Sequence, residues 1–204
     1  MPRKTIDGYA LLARSELPID SVELARYLIG KVVVRTTPKG ILSGRIVETE
    51  AYPVGDAAGH AYRGETPRNG ALFLRPGHAY VYLAYGVSWM LNVSSEAAGV
   101  GAGVLIRALA PLKGIATMQR NRRVQDLRDL ARGPGRLAAA LDIDRRLDGI
   151  DLCRRSPLWL ARDSGDILDV GTSSRIGLSR EAARLLRFYL RGDRFVSGPK
   201  VLNR

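Results

Sequence analysis

The chain has 204 residues, enough to bury one sizeable core and too few to require two, so residues 1–204 are expected to form a single domain. Hydrophobic residues make up 46% and charged residues 25%, a balance that excludes an intrinsically disordered or low-complexity chain. The formal net charge of +12, carried mostly by arginine, favours a polyanionic partner: DNA, RNA or an acidic membrane. A basic protein that owes its arginines to genome composition is the plain alternative. Taken in chain order, Asp20-Ser21-Val22-Glu23 reads as a capping box opening a helix that carries Leu24, Ala25 and Leu28 on one face and stops at Gly30. Lys31 to Thr36 reads as a β-branched strand, and Pro38-Lys39-Gly40 as a turn into a second strand, Ile41 to Tyr52. Tyr80 to Ala84 and Val87 to Val93 form a predicted hairpin with Tyr85-Gly86 at its tip, and Gly103 to Leu109 a strand stopped by Pro111. A basic, largely helical stretch follows from Leu112 to Leu130. Gly133-Pro134-Gly135 then opens a helix from Arg136 to Leu141, whose free N–H groups suit either a phosphate or an ordinary helix start. The last predicted strands are Asp166 to Val170 and Phe188 to Val196. Antiparallel strands with peripheral helices make the expected fold class α+β: a curved, mainly antiparallel sheet with a protruding hairpin.

The single cysteine, Cys153, excludes an internal disulfide and fits a reducing compartment, so the cytoplasm is the expected location. With two histidines and one cysteine, a zinc site is hardly available, and no metal or cofactor is expected. The most apolar stretch, from Ala79 to Val93, is too short and interrupted to span a bilayer of roughly 30 Å, so no membrane role is expected.

The chemistry concentrates in Arg45-Ile46-Val47-Glu48-Thr49-Glu50-Ala51-Tyr52. Strand alternation puts Val47, Thr49 and Ala51 on one face, and Glu48, Glu50 and Tyr52 on the other. Two carboxylates beside an aromatic ring suit an acid/base pair, or two acids satisfied by neighbouring arginines. On the hairpin Tyr80 and Tyr82 share a face. Tyr85 at the tip of a basic protein suits a wedge that unstacks a duplex, although tyrosine-rich hairpins also serve as core-and-edge pairs.

The run Val47-Glu48-Thr49-Glu50-Ala51-Tyr52, then Asp56-x-x-x-His60 and Thr66-Pro67-Arg68-Asn69, resembles the alkyladenine (3-methyladenine) DNA glycosylase family. The likeness continues through Tyr80-Val81-Tyr82-Leu83-Ala84-Tyr85-Gly86, Asn92-Val93-Ser94, Val104-Leu105-Ile106-Arg107-Ala108-Leu109, Gly133-Pro134 and Arg187-Phe188-Tyr189, and covers Leu24 to Ser197. The resemblance implies a monofunctional enzyme that flips a damaged purine from double-stranded DNA and hydrolyses its glycosidic bond, working as a monomer without lyase activity. It gives Glu50 the activation of water, with Arg107 and the backbone carbonyl of Ile176 helping to hold that water; Glu48 is left to structure, pairing an arginine. It places Tyr52, His60 and Tyr82 around the flipped base, where electron-rich faces attract a cationic ring, and lets the His60 backbone N–H bond a purine's position-6 acceptor. It gives Asn92 the rejection of guanine, Tyr85 the wedge, and Thr66, Arg136 and Arg145 contacts to the DNA backbone. Val87 and Ser88 are smaller than in some relatives, which implies a different far wall of the pocket. Leu185 replaces a common proline, and the Ala97–Gly103 loop is long. The alternatives are a non-catalytic basic nucleic-acid-binding module, which does not require Glu50 or Arg107, and a lysine-based bifunctional glycosylase, although the scarce lysines fall outside the pocket motifs.

Overall fold

A computed structural model describes residues 5–6, 8–162 and 168–203. Its strands and helices are β1 (Thr5–Ile6), β2 (Tyr9–Ala10), α1 (Ser21–Leu28), β3 (Val32–Thr37), β4 (Gly40–Tyr52), β5 (Ala79–Ala84), β6 (Ser88–Ser94), β7 (Gly103–Lys113), α2 (Ile115–Arg122), α3 (Pro134–Ala140), β8 (Leu158–Ala161), β9 (Val170–Ser173) and β10 (Arg187–Leu190). Eight of the strands form one antiparallel sheet in the order β5-β6-β7-β4-β10-β9, with β3 between β4 and β8. The fold is α+β with a curved antiparallel sheet, as expected.

The long strand β4 organises it. The first half of β4 pairs β3, its second half pairs β10, and its other edge pairs β7 along nearly its whole length. Helix α1 lies across β4 and β7 and buries Leu24, Ala25 and Leu28 against Ile46, Ala51 and Ile106. Each such aliphatic side chain taken from water contributes about 1.5–3 kcal/mol. Its start is built as expected, since the Asp20 carboxylate accepts from the Val22 and Glu23 N–H groups at 2.8 and 2.9 Å. The neighbouring Ser21 N–H and hydroxyl go instead to Glu96, 75 residues further on.

The alternation expected for β4 breaks at its centre. Ile46 pairs Leu109 and Thr49 pairs Ile106, but between them Glu48 pairs Ala108, so each strand carries one surplus residue. The two surpluses cancel in register, yet each strand changes face. Ile46 and Ala51 both lie in the main core, and the Thr49 hydroxyl donates to Ala25 O in α1 at 2.8 Å. Val47 therefore joins Ala108, Ala110, Tyr189 and Val196 on the face of the acids, where simple alternation had put it with Thr49 and Ala51.

Three other expectations change. Strand β7 does not stop before Pro111 but runs to Lys113. Pro111 pairs Gly44 at a register shift, where its missing N–H costs no regular ladder bond. The basic stretch 112–130 is helical over Ile115–Arg122 and for one short turn at Leu127–Asp129. The last strand ends at Leu190, because Gly192 takes a positive φ of 71° and the Asp193 N–H closes a turn onto Leu190 O. Of the strand expected at Asp166 to Val170, Asp166 and Ile167 lie outside the described residues; the strand observed there begins at Val170. No helix among the described residues is long and apolar enough to cross a membrane.

Candidate active site

The paired irregularity puts Glu48 and Glu50 of β4 on the same face as Arg107 of β7, and the Arg107 guanidinium spans them. Its Nε donates to Glu48 Oε1 at 2.9 Å and its Nη1 sits 3.1 Å from Glu50 Oε1. Both carboxylates are fully buried. Glu48 also accepts from Arg187 Nε of β10 at 2.7 Å and from the Ser197 N–H at 2.7 Å. Burial alone would raise the Glu48 carboxyl, but the charges of Arg107 and Arg187 outweigh it and hold the group below the ordinary carboxylate range. For Arg107, burial opposes the charge while Glu50 and then Glu48 stabilise it more, so its pKa lies above the ordinary value. Glu48 thus pairs arginines, two of them.

Glu50 is held differently. Its Oε1 accepts from the Ile176 N–H at 2.7 Å as well as facing Arg107, and its Oε2 accepts from the Tyr52 hydroxyl at 2.9 Å. Burial, and then the Glu50 charge, push the Tyr52 phenol well above its ordinary pKa, so it keeps its proton and donates. Oε1 is saturated by two donors, whereas Oε2 retains one free lone pair. Ile176 was expected through its carbonyl, and the contact the structure gives it is through its N–H.

Beyond Tyr52 opens a cavity of about 210 Å³. Its lining includes Tyr52, His60, Tyr80, Tyr82, Tyr85 and Asn92, so the rings expected around a base border one space. Glu50 is not itself in the wall; it stands one hydrogen bond behind Tyr52. His60 and Tyr82 touch each other, with ring centroids 4.4 Å apart, and Tyr80 stacks on Tyr82 at 5.3 Å. The His60 Nδ1 shares a 2.9 Å hydrogen bond with the Tyr80 hydroxyl. Burial, then the charge of Arg68, lower the His60 pKa and favour a neutral ring, while burial pushes the Tyr80 phenol up to about 12. Asn92 is buried and donates to Tyr80 O at 3.2 Å.

At the hairpin tip Tyr85 is 95% exposed and held at φ 51°, followed by Gly86 at φ 70°. A large exposed ring in a left-handed conformation has no packing reason to be there, and such strain gathers at functional positions.

The remaining expected residues stand apart from the acids. Thr66 bonds through its N–H and hydroxyl to Asn69 Oδ1, and Asn69 in turn holds His60 O and Gly64 O, so this motif knits the loop that presents His60. Arg136 is half-exposed and paired with Asp129 at 2.8 Å; Arg145 reaches Val81 O and Asp148. Ser88 does not wall the cavity: it lies against Gly135 at the start of α3, and Val87 is exposed at the tip. Ser88 therefore sits where α3 begins, and neither residue lines the cavity. The wall contains instead Gly101, Ala102 and Gly103 from the long loop. Gly101 has to be glycine, because a Cβ there would come within 2.7 Å of the Ala61 Cβ and collide with the Phe73 ring.

Sequence reasoning gave no role to Arg175, whose guanidinium lies 4.6 Å from the Tyr52 ring centre and pairs Asp56. The motif Asp56-x-x-x-His60 named one partner, but nothing marks the other among so many arginines. No group of three or more His, Cys, Asp or Glu able to hold a metal ion occurs among the described residues.

Residues 15–194 match the methylpurine-DNA glycosylase family. The chain belongs to that family. It is 71% identical over 191 residues, 94% of this chain and 92% of the relative, to a protein of Mesorhizobium japonicum named "putative 3-methyladenine DNA glycosylase". Relatives of the same name in Paraburkholderia phytofirmans and Koribacter versatilis are 53% identical over 94% of this chain and 90% of the relative, and 42% identical over 99% and 100%. The protein is thus a DNA glycosylase, a hydrolase whose substrate is DNA.

Proposed function

We propose that the enzyme rotates an alkylated or deaminated purine out of duplex DNA into the cavity and hydrolyses its N-glycosidic bond with a water activated by Glu50. The observation that carries this reading is a buried carboxylate joined by one hydrogen bond to a tyrosine that borders a ring-lined cavity. The base stacks between Tyr52 and the contacting His60–Tyr82 pair. Such faces attract a cationic alkylated purine by about 1–2 kcal/mol in a dry site. Asn92, fixed on Tyr80 O, meets the position where guanine carries its amine. Tyr85 fills the space left in the duplex.

The free lone pair of Glu50 Oε2 is where the water binds, since Oε1 is already saturated. As the bond from C1′ to the base nitrogen lengthens, its electron pair moves onto the base and the sugar becomes oxocarbenium-like beside the negative Glu50. The water oxygen then bonds to C1′ and its proton passes to the carboxylate. An alkylated base carries its positive charge beforehand and leaves neutral, so it requires no second acid; neutral hypoxanthine and etheno-adenine leave as anions that take a proton from water, since Glu48 is locked in its two arginines. A binding module without catalysis has no use for the Glu50 arrangement.

The substrates of this reading are 3-methyladenine, 7-methylguanine, hypoxanthine and etheno-adenine. Among the described residues none that lines the cavity is a lysine, which supports hydrolysis without a Schiff base. Duplexes carrying each lesion test both parts. Free base and an intact strand with an abasic site are expected. A borohydride-trapped adduct would replace the hydrolytic reading with a lyase, and the absence of base release from all four duplexes would refute the assignment.

A further inference from the structure

Over one face of the Tyr52 ring, and outside the lining of the cavity, lies the fully buried Arg175, whose partner Asp56 does border the cavity. Its Nη1 donates to Ala51 O at 3.0 Å, and its two Nη atoms engage both oxygens of the fully buried Asp56 carboxylate. Asp56 also accepts the Ala58 N–H at 2.9 Å, in the loop leading to His60. Arg175 immediately precedes Ile176, whose N–H rests on Glu50. The Arg175 Nε has no hydrogen-bond partner among the described residues, as fits a guanidinium seated by its contact with the ring as well as by its acceptors.

One ion pair therefore joins the end of β4, the His60 loop and the segment carrying Ile176, and it sets a full positive charge against the ring. We propose that the Asp56–Arg175 pair is a positioning and specificity-determining element for Tyr52: it fixes that ring and the Ile176 N–H on Glu50, and Asp56 cancels the Arg175 charge so that the other face of Tyr52 accepts a cationic purine. The proposal rests on the reading that the base stacks on Tyr52.

The physical basis is distance. A base stacked roughly 3.5 Å beyond the ring lies about 8 Å from the guanidinium, where an uncompensated unit charge at an effective dielectric of about 20 changes a binding constant by about tenfold or more. Removing Asp56 exposes the base to the cation, and removing Arg175 exposes it to the anion. The two variants should shift charge preference in opposite directions, whereas a pair that merely braces the loops would weaken all binding alike.

The probes are two duplexes that differ in charge alone at the lesion. One carries 7-methylguanine on a 2′-fluoro sugar that resists hydrolysis; the other carries neutral 7-methyl-7-deazaguanine on the same sugar. The ratio of their dissociation constants is measured for the wild-type protein, Asp56→Asn and Arg175→Met. Asp56→Asn should lower the preference for the cationic lesion about tenfold, and Arg175→Met should raise it by a smaller factor, because Asp56 retains the Ala58 N–H and Arg184 at 3.7 Å. Should one variant fail to fold, the sign of the other still decides. Unchanged ratios, or shifts in the same direction, overturn the proposal. Failure of the wild-type protein to prefer either lesion over an undamaged duplex is a separate result, which overturns the stacking reading itself.

Discussion

Replacing Glu50 by glutamine separates chemistry from architecture at this site. Both fixed donors, the Ile176 N–H and Arg107, converge on Oε1, and Oε2 meets the Tyr52 hydroxyl alone. A glutamine can put its carbonyl at the Oε1 position and its NH₂ at the Oε2 position, where the tyrosine hydroxyl turns round to accept. No buried donor is left facing another donor, and Arg107 keeps its 2.9 Å partner Glu48. The stability cost should stay near 1–2 kcal/mol, a few degrees of Tm for a chain of this size. The reaction loses its general base, an effect on the order of 10²–10⁴ in rate, or about 2.7–5.5 kcal/mol of barrier. The assay is single-turnover base release with enzyme in excess over a lesion duplex, alongside binding of that duplex by fluorescence anisotropy. Glu50→Gln should bind like the wild-type protein and release base at least a hundredfold more slowly. A rate within about threefold of wild type, with binding intact, would refute the assignment of Glu50 as the base.

Glu48→Gln should lose stability instead, about 3–5 kcal/mol by urea denaturation at pH 7, because the buried Arg187 then faces a neutral amide and Arg107 keeps Glu50 as the remaining one of its two carboxylates. The folded pKa of Glu48 is depressed below 4.5, so its stabilisation is full above that pH and is lost as pH falls through the folded value. The gap between wild type and variant should therefore narrow when the titration is repeated at pH 3, and a constant gap would contradict the ion-pair account. Tyr85→Ser should shrink the fluorescence change of an etheno-adenine duplex several-fold while leaving the melting temperature within about a degree, since the ring packs on almost nothing. Gly101→Ala should lower Tm by several degrees and weaken lesion binding more than binding to undamaged DNA, because the new methyl displaces Phe73 and the cavity-lining Ala61.

Much of the sheet and the grouping of two acids with a tyrosine on one strand were legible in the sequence. Strands β3 to β6 and helix α1 lie within a residue or so of where alternation, capping and turn chemistry put them, because those are local signals. Local rules failed where distant partners decide. Pro111 stops a strand by propensity, yet it sits at an irregular pair with Gly44 that only the tertiary pairing creates. Val47 changed face because of a surplus residue matched by another 60 positions away. At the site, Glu50 and Tyr52 announced themselves as a carboxylate and a ring sharing one strand face, and Arg107 through the family resemblance alone. Arg175 did not, since a buried arginine reads like a solvated one in so basic a chain. The role of Gly101 was equally hidden, because a glycine in a loop gives no hint of the rings packed above it.

The matched surplus residues of β4 and β7 also limit how this enzyme can change length. Each strand is free to tolerate its extra residue only because its neighbour carries one too. Deleting Val47 alone would restore simple alternation in β4 and keep Glu50 on its present face, but it would leave the surplus residue of β7 unmatched and put the two strands one residue out of step beyond that point, shifting Glu50 relative to Arg107. Insertions and deletions in these two strands therefore have to come in compensating pairs, whereas the loops around the cavity can lengthen without moving the acid.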